Sequence, residues 1–134
     1  MRKRLPILDT NIIIRYLTED DVKQAQRVEL LFRKIATPKL EIPDVVIVEI
    51  AYVLLSYYKL TKEDVVEKIN VLVDFKKFKT NKKLIKKTLD FYKNNNISFV
   101  DSYISALVFY KKNEFLFTFD KALLKIKDIK AISP

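Results

Sequence analysis

Four carboxylates occupy stretches where solvation does not explain them: Asp9 in ILDTN, Glu49 in VIVEIAY, Asp101 in SFVDSYISA and Asp120 in FTFDKAL. Most of the other acids lie among lysines or at helix starts. Gathered at one place, four carboxylates cannot all stay ionised unaided, because a pair about 4 Å apart repels by roughly 4 kcal/mol at a typical effective dielectric. A divalent cation removes that repulsion, and hard oxygen donors select Mg2+ or Mn2+ over zinc. A cation held this way acts as a Lewis acid and lowers the pKa of its bound water.

Each acid also has a plainer reading. Asp9 and Asp120 each immediately follow an expected strand, where they can cap the next helix. Ser98 and Asp101 have capping-box spacing. Glu49 interrupts VVIVEIAYVLL, residues 45–55, which is otherwise apolar throughout. Buried and unpaired, its charge costs several kcal/mol. So either a cation meets it, or Glu49 lies on a half-wetted helical face with Tyr52 and Ser56. Taken together, the acids favour a site, because open parallel sheets place their sites beyond the carboxyl ends of the strands.

The residues that are missing narrow the chemistry further. The chain has 134 residues and contains no histidine, cysteine or glycine. That removes histidine bases and serine-type triads, thiol nucleophiles and zinc–thiolate sites, and the glycine-rich phosphate turns. Carboxylates, lysines, hydroxyls and a bound metal remain. The balance of 26 basic against 17 acidic residues, a net charge of +9, suits a polyanionic partner such as nucleic acid. A lysine-rich solvated surface gives the same count. The apolar run in MRKRLPILD stops at Asp9, too short for a signal peptide or membrane span, so a cytoplasmic protein with no membrane partner is expected.

These residues need an alternating scaffold to position them. LPILD (5–9) reads as a fully buried strand and TNIIIRYLT as the first helix. TEDDVKQAQRVELLFRKI follows, with Val22, Ala25, Val28, Leu31, Phe32 and Ile35 at helical spacing behind a Thr18/Asp21 capping box. KLEI (39–42) is a weak strand, and Pro43 suits the first turn of the helix that carries Glu49. Thr61 and Asp64 cap the next helix, and DFKKFKT (74–80) reads as a short strand. Helices over NKKLIKKTLDFYKNN and over 97–113, the latter capped by Ser98, lead to a buried strand FLFTF (115–119), a short helix DKALLK and a last strand IKAIS. No repeat or linker stands out. A single α/β domain over 1–134, a three-layer α/β/α sandwich around a mostly parallel sheet, is expected.

ILDTNIIIRYL, an acid at 49 in an apolar helix, FVDSYISALV and FTFDKAL, in that order, resemble the PIN-domain family. The pattern is most similar to the VapC-type toxins of toxin–antitoxin pairs. The resemblance implies an α/β/α fold and a metal-dependent endoribonuclease that uses Mg2+ or Mn2+. It also implies an acidic quartet of Asp9, Glu49, Asp101 and Asp120, supported by Thr10, Asn11 and Thr118. Many relatives carry a further acid shortly after the last of these. Here those places hold Ala122 and Leu123, with Lys121 adjoining, which argues against a fully occupied second metal site and agrees with a single-metal resting state, while the number of metals in the working site stays open. Family members usually pair, and the apolar surplus of VVIVEIAYVLLSYY agrees with a homodimer. A cognate antitoxin is implied as a further partner. The other readings are a nuclease of rRNA or RNA maturation, and a noncatalytic RNA-binding domain of the same fold. Receiver and dehalogenase folds fit poorly, because Asn11 stands where the dehalogenase motif needs an acid.

Between Phe75 and Leu89 there is no acid, while lysines crowd together. Lys82/Lys86 and Lys83/Lys87 pair at i,i+4, where like charges repel, a cost that an RNA backbone would relieve. A solvated face opposite Ile85, Leu89 and Tyr92 is the alternative. Tyr57, Tyr58, Phe91 and Tyr92 are candidates for stacking on bases or for core packing.

Overall fold

The computed structural model describes residues 5–35, 39–111 and 114–134. It divides into two compact units, Met1–Lys82 and Lys83–Pro134.

In the first unit the helices are α1 (Thr10–Thr18), α2 (Val22–Lys34), α3 (Asp44–Ser56) and α4 (Lys62–Asp74), with strands β1 (Leu40–Glu41) and β2 (Phe78–Lys79). β1 and β2 run parallel, Leu40 opposite Phe78 and Glu41 opposite Lys79, and Ile7 adds a parallel bridge to Glu41. Parallel neighbours need a helical crossover, which α3 and α4 supply. α1 packs on α2 and α3, and α4 packs on α3 and β2. The N-terminal segment is thus a single bridge rather than a fully buried strand. Leu8 is buried while Ile7 is 64% exposed, because successive residues of an extended chain face opposite ways.

α3 answers the question of its lone acid. Ile47, Ile50, Ala51 and Leu54 are wholly buried, at i,i+3,i+4,i+7 spacing. Glu49 falls on the opposite, exposed face with Val45, Tyr52 and Ser56. The run is apolar all round but buried on one side only. Pro43 is the N-cap rather than the first helical residue. After α3, Lys59 takes a left-handed backbone (φ 56°), as Glu19 does after α1 (φ 54°). A chain without glycine has to place other residues at such turns.

Two expectations for α2 are corrected. Its cap is Asp21 alone, whose carboxylate accepts from the Gln24 amide at 3.1 Å. Thr18 instead ends α1 and donates its hydroxyl to the Ile14 carbonyl at 2.8 Å. Of the six apolar positions, only Val28 and Phe32 are fully buried, and Val22 is exposed. Phe32 joins an edge-to-face aromatic cluster with Tyr16 and Phe78, at 5.0 and 5.2 Å between ring centres. Phe75 closes it at 4.9 Å from Phe78. Thr61 caps α4 as expected, accepting from the Asp64 amide at 3.1 Å.

The second unit comprises α5 (Lys82–Asn94), α6 (Phe99–Tyr110), β3 (Leu116–Phe117), α7 (Lys121–Leu124) and β4 (Ala131–Ile132). β3 and β4 pair in parallel, Leu116 opposite Ala131 and Phe117 opposite Ile132. The core gathers Leu84, Phe91, Ile97, Ala106, Leu123 and Ile126, with Leu116 packed against it. Thr88, Ser102 and Ser105 are also buried, and each hydroxyl donates to the carbonyl four residues before it. α6 ends at Tyr110. The last residues of the expected 97–113 helix, 112–113, lie outside the described residues. The segment 115–119 is not a buried strand. Only two residues enter the ladder, and Phe115, Phe117 and Phe119 alternate onto an outward face, Phe117 being 63% exposed. Phe115 and Phe117 pack edge to face at 5.0 Å, and Lys130 lies 5.9 Å from the Phe115 ring centre.

Candidate active site

Asp9 stands at the carboxyl end of the bridged segment. The Leu8 amide donates to the Glu41 carbonyl at 2.9 Å, and the Glu41 amide to the Pro6 carbonyl at 2.7 Å. These bonds fix where the extended chain turns into α1. Asp9 is the N-cap of that helix, its Oδ1 accepting from the Thr10 amide at 2.7 Å. Thr10 is buried, whereas Asp9 and Asn11 are exposed. One carboxylate oxygen is thus spent on the backbone of an otherwise exposed residue.

Glu49 projects from the exposed face of α3, held by the buried residues on either side of it. It reaches water, so its charge carries no burial penalty.

In the second unit, Ser98 caps α6 by accepting from the Asp101 amide at 3.0 Å. The reciprocal half of a capping box is not made. Among the described residues the half-buried Asp101 carboxylate has no hydrogen-bond partner. Asp120 is the N-cap of α7, its Oδ1 accepting from the amides of Ala122 at 2.8 Å and Leu123 at 3.4 Å. Its own amide donates to Thr118 Oγ1 at 3.0 Å. Thr118 therefore orients the backbone that carries the acid. Ala122 and Leu123 contribute amides here.

The structure places Asp9 and Glu49 in the first unit and Asp101 and Asp120 in the second. In a chain with 26 basic residues, none of the four carboxylates forms an ion pair among the described residues. Asp20, Glu29, Asp74 and Glu114 do find cations. Among the described residues no group of three or more acidic side chains is gathered closely enough to hold a metal ion; oxygen donors of this type would select Mg2+ or Mn2+ over softer metals.

The lysine strip is partly engaged within the protein. Lys82 pairs with Asp74 at 3.1 Å. Lys83 lies over the Tyr110 ring at 4.8 Å, and Lys87 over Phe109 at 4.0 Å and Phe91 at 5.3 Å. A cation over an aromatic face keeps its charge but loses reach. Of the aromatic candidates, Phe91 and Tyr92 are core, Tyr58 is half-buried and Tyr57 is exposed.

One feature went unread in the sequence. A cleft of about 500 Å3 opens between α1 and α2, with Asn11 and Arg15 on one wall and Gln24 and Arg27 on the other. Each wall is a helical stripe, but only the packing of α1 on α2 brings the two stripes together. Asn11 and Arg15 are four apart on α1, and Gln24, Arg27, Val28 and Leu31 form one stripe of α2.

A family model described as the PIN domain matches residues 7–129, a span that includes all four acids. Comparison with curated proteins returns no match. Among the described residues no helix is long and apolar enough to cross a membrane.

Proposed function

The chain belongs to the PIN-domain family, and from that premise we propose that it is a metal-dependent endoribonuclease, the toxin of a toxin–antitoxin pair of the VapC type. PIN domains share an α/β fold and are generally nucleases that act on RNA with divalent metals such as Mg2+ or Mn2+. What carries the assignment to this chain is the state of its acids. Asp9, Glu49, Asp101 and Asp120 all fall within the family match, and none is neutralised by a described lysine or arginine.

In this reading Asp9, Glu49, Asp101 and Asp120 would be the ligands of the cation. When bound, the cation polarises the scissile phosphate and acidifies an attacking water. The protein's own residues set direction. The Thr10 amide orients the Asp9 carboxylate, the amides of Ala122 and Leu123 orient Asp120, and Thr118 steadies the turn before it. Asn11 stands exposed beside Asp9, where its amide can hold a phosphate oxygen or the water. Lys82, Lys83, Lys86 and Lys87 add attraction for the RNA backbone. Val45, Tyr52 and Tyr57 are exposed on and just after α3, which supports a homodimer, and the reading places the protein in the cytoplasm.

The test is RNA cleavage by the wild type and by Asp9→Asn with Mg2+, with Mn2+ and with chelator. Cleavage should need metal and vanish in the variant. Metal-independent cleavage, or an active Asp9→Asn, would remove the assignment. Regulated expression separates the toxin from an RNA-maturation enzyme, since only a toxin arrests growth when produced without its partner. A mass in solution equal to one chain would reject the dimer.

A further inference from the structure

We propose that the cleft between α1 and α2 is a nucleotide subsite, holding one residue of the RNA strand next to the reaction centre at Asp9; this rests on the nuclease reading above. Its volume, about 500 Å3, falls in the ~300–1,000 Å3 range of small-molecule sites. Its walls divide by chemistry. Ile12, Val28 and Leu31 supply apolar surface, while Arg15 and Arg27 supply charge, and no acid is among the described lining residues.

The two arginines differ in how they are held. Arg15 is fixed in place: Nε donates to Gln24 Oε1 at 2.6 Å, and Nη1 to Asp20 Oδ1 at 3.2 Å. Its guanidinium is pre-set, with part of its charge already answered. Arg27 is exposed and has no partner among the described residues. A cation without a counterion beside an apolar wall fits a group that is flat and weakly polar on one side and anionic on the other. A nucleotide in single-stranded RNA is such a group: the base lies against the wall and the phosphate meets Arg27. Position selects RNA over an acidic peptide. Asn11, a lining residue, stands two residues after Asp9, the N-cap of α1, so on the nuclease reading the cleft lies at the end of the helix that carries the proposed metal ligand.

The experiment uses the full chain carrying Asp9→Asn, so that RNA is bound without being cut. Affinity for a single-stranded oligoribonucleotide is measured by fluorescence anisotropy across a salt series. Adding Arg27→Ala should weaken binding about tenfold and lower the log–log salt slope by about one, the signature of one lost phosphate contact. Arg27→Lys should restore the slope and only part of the affinity, because an ammonium lacks the planar fork. Arg27 is exposed and unpaired, and an unchanged melting temperature checks that each variant is folded. Unchanged affinity and slope in Arg27→Ala would overturn the subsite. So would unchanged RNA binding together with lost binding of an acidic amphipathic peptide, which would give the cleft to a protein partner. If the wild type fails to cleave RNA with either metal while binding still depends on Arg27, the nuclease reading falls and the subsite stands.

Discussion

The Tyr58 hydroxyl donates to Asp20 Oδ2 at 2.6 Å, tying the segment that follows α3 to the turn between α1 and α2. The same carboxylate accepts from Thr18 Oγ1 at 3.0 Å and pairs with Arg15 at 3.2 Å. Arg15 in turn lines the cleft, so this small polar network sets the position of one of its walls.

A pH dependence comes with it. The Tyr58 hydrogen bond, the largest influence, holds the Asp20 carboxyl below its ordinary value near 3.8; desolvation, second in size, opposes it, and the Thr18 bond and the Arg15 charge reinforce it. A carboxyl that is more acidic when folded stabilises the fold above its unfolded pKa, and this contribution is lost as pH falls through the folded value. Tyr58→Phe should therefore lower stability at pH 7 and make little difference in strong acid. Urea unfolding at pH 7 and near pH 2 measures both. An equal loss at the two pH values would mean that the hydroxyl does not act through Asp20.

Glu49→Gln separates chemistry from fold. If Glu49 is a metal ligand, the neutral amide should cut cleavage about 100-fold or more, since even outer-shell changes at metal sites cost 10–100-fold. Because Glu49 is exposed, stability without metal should stay within about 0.5 kcal/mol. Had the acid been buried, the same change would have raised the melting temperature. Full activity in this variant would return Glu49 to the solvated face and nothing more.

Asp120 has two roles that different substitutions can divide. Asparagine caps helices about as well as aspartate, whereas alanine costs about 1 kcal/mol. Asp120→Asn should keep the bonds from the Ala122 and Leu123 amides and lose cleavage, while Asp120→Ala should lose both. Denaturation and cleavage assays on the pair decide it. An active Asp120→Asn would make the residue a cap alone.

For the lysines, the ring contacts change what truncation should do. Replacing Lys83 and Lys87 with glutamine removes the cations lying over Tyr110 and Phe109 and should cost about 1–2 kcal/mol in total. If the strip also holds phosphates, replacing Lys82 and Lys86 as well should flatten the salt dependence of RNA affinity. A stability loss with an unchanged salt slope would assign the ring-bound pair to packing.

Much of the scaffold was legible because its signals are local. Thr61, Ser98 and Asp120 declare helix starts through bonds that span two or three residues, and these bonds form. The exposed face of Glu49 was equally open to a helical reading with Tyr52 and Ser56. What escaped depends on distant partners. Residues 115–119 look like a buried strand in sequence, but ladder length depends on how far β4 runs alongside, and only two residues pair. Thr18 has the right spacing to cap α2. Asp21 lies nearer and wins, leaving Thr18 to finish α1. The cleft needed α1 and α2 to meet, which spacing within either helix cannot reveal.

The one-sided burial of α3 also determines which genetic changes this protein tolerates. Glu49 is flanked by Ile47 and Ile50, both completely enclosed. Adding or deleting one residue within the helix ahead of Glu49 would turn everything beyond that point by about 100° relative to the part before it. The acid would swing inward and an isoleucine outward, so charge and packing would fail at once. Point changes on the outer face, at Val45 or Tyr52, carry no such coupling. Codon-level length variation should therefore be purged from this helix far more strictly than substitution is, and a library of single-residue insertions scored for folded protein would map that boundary position by position.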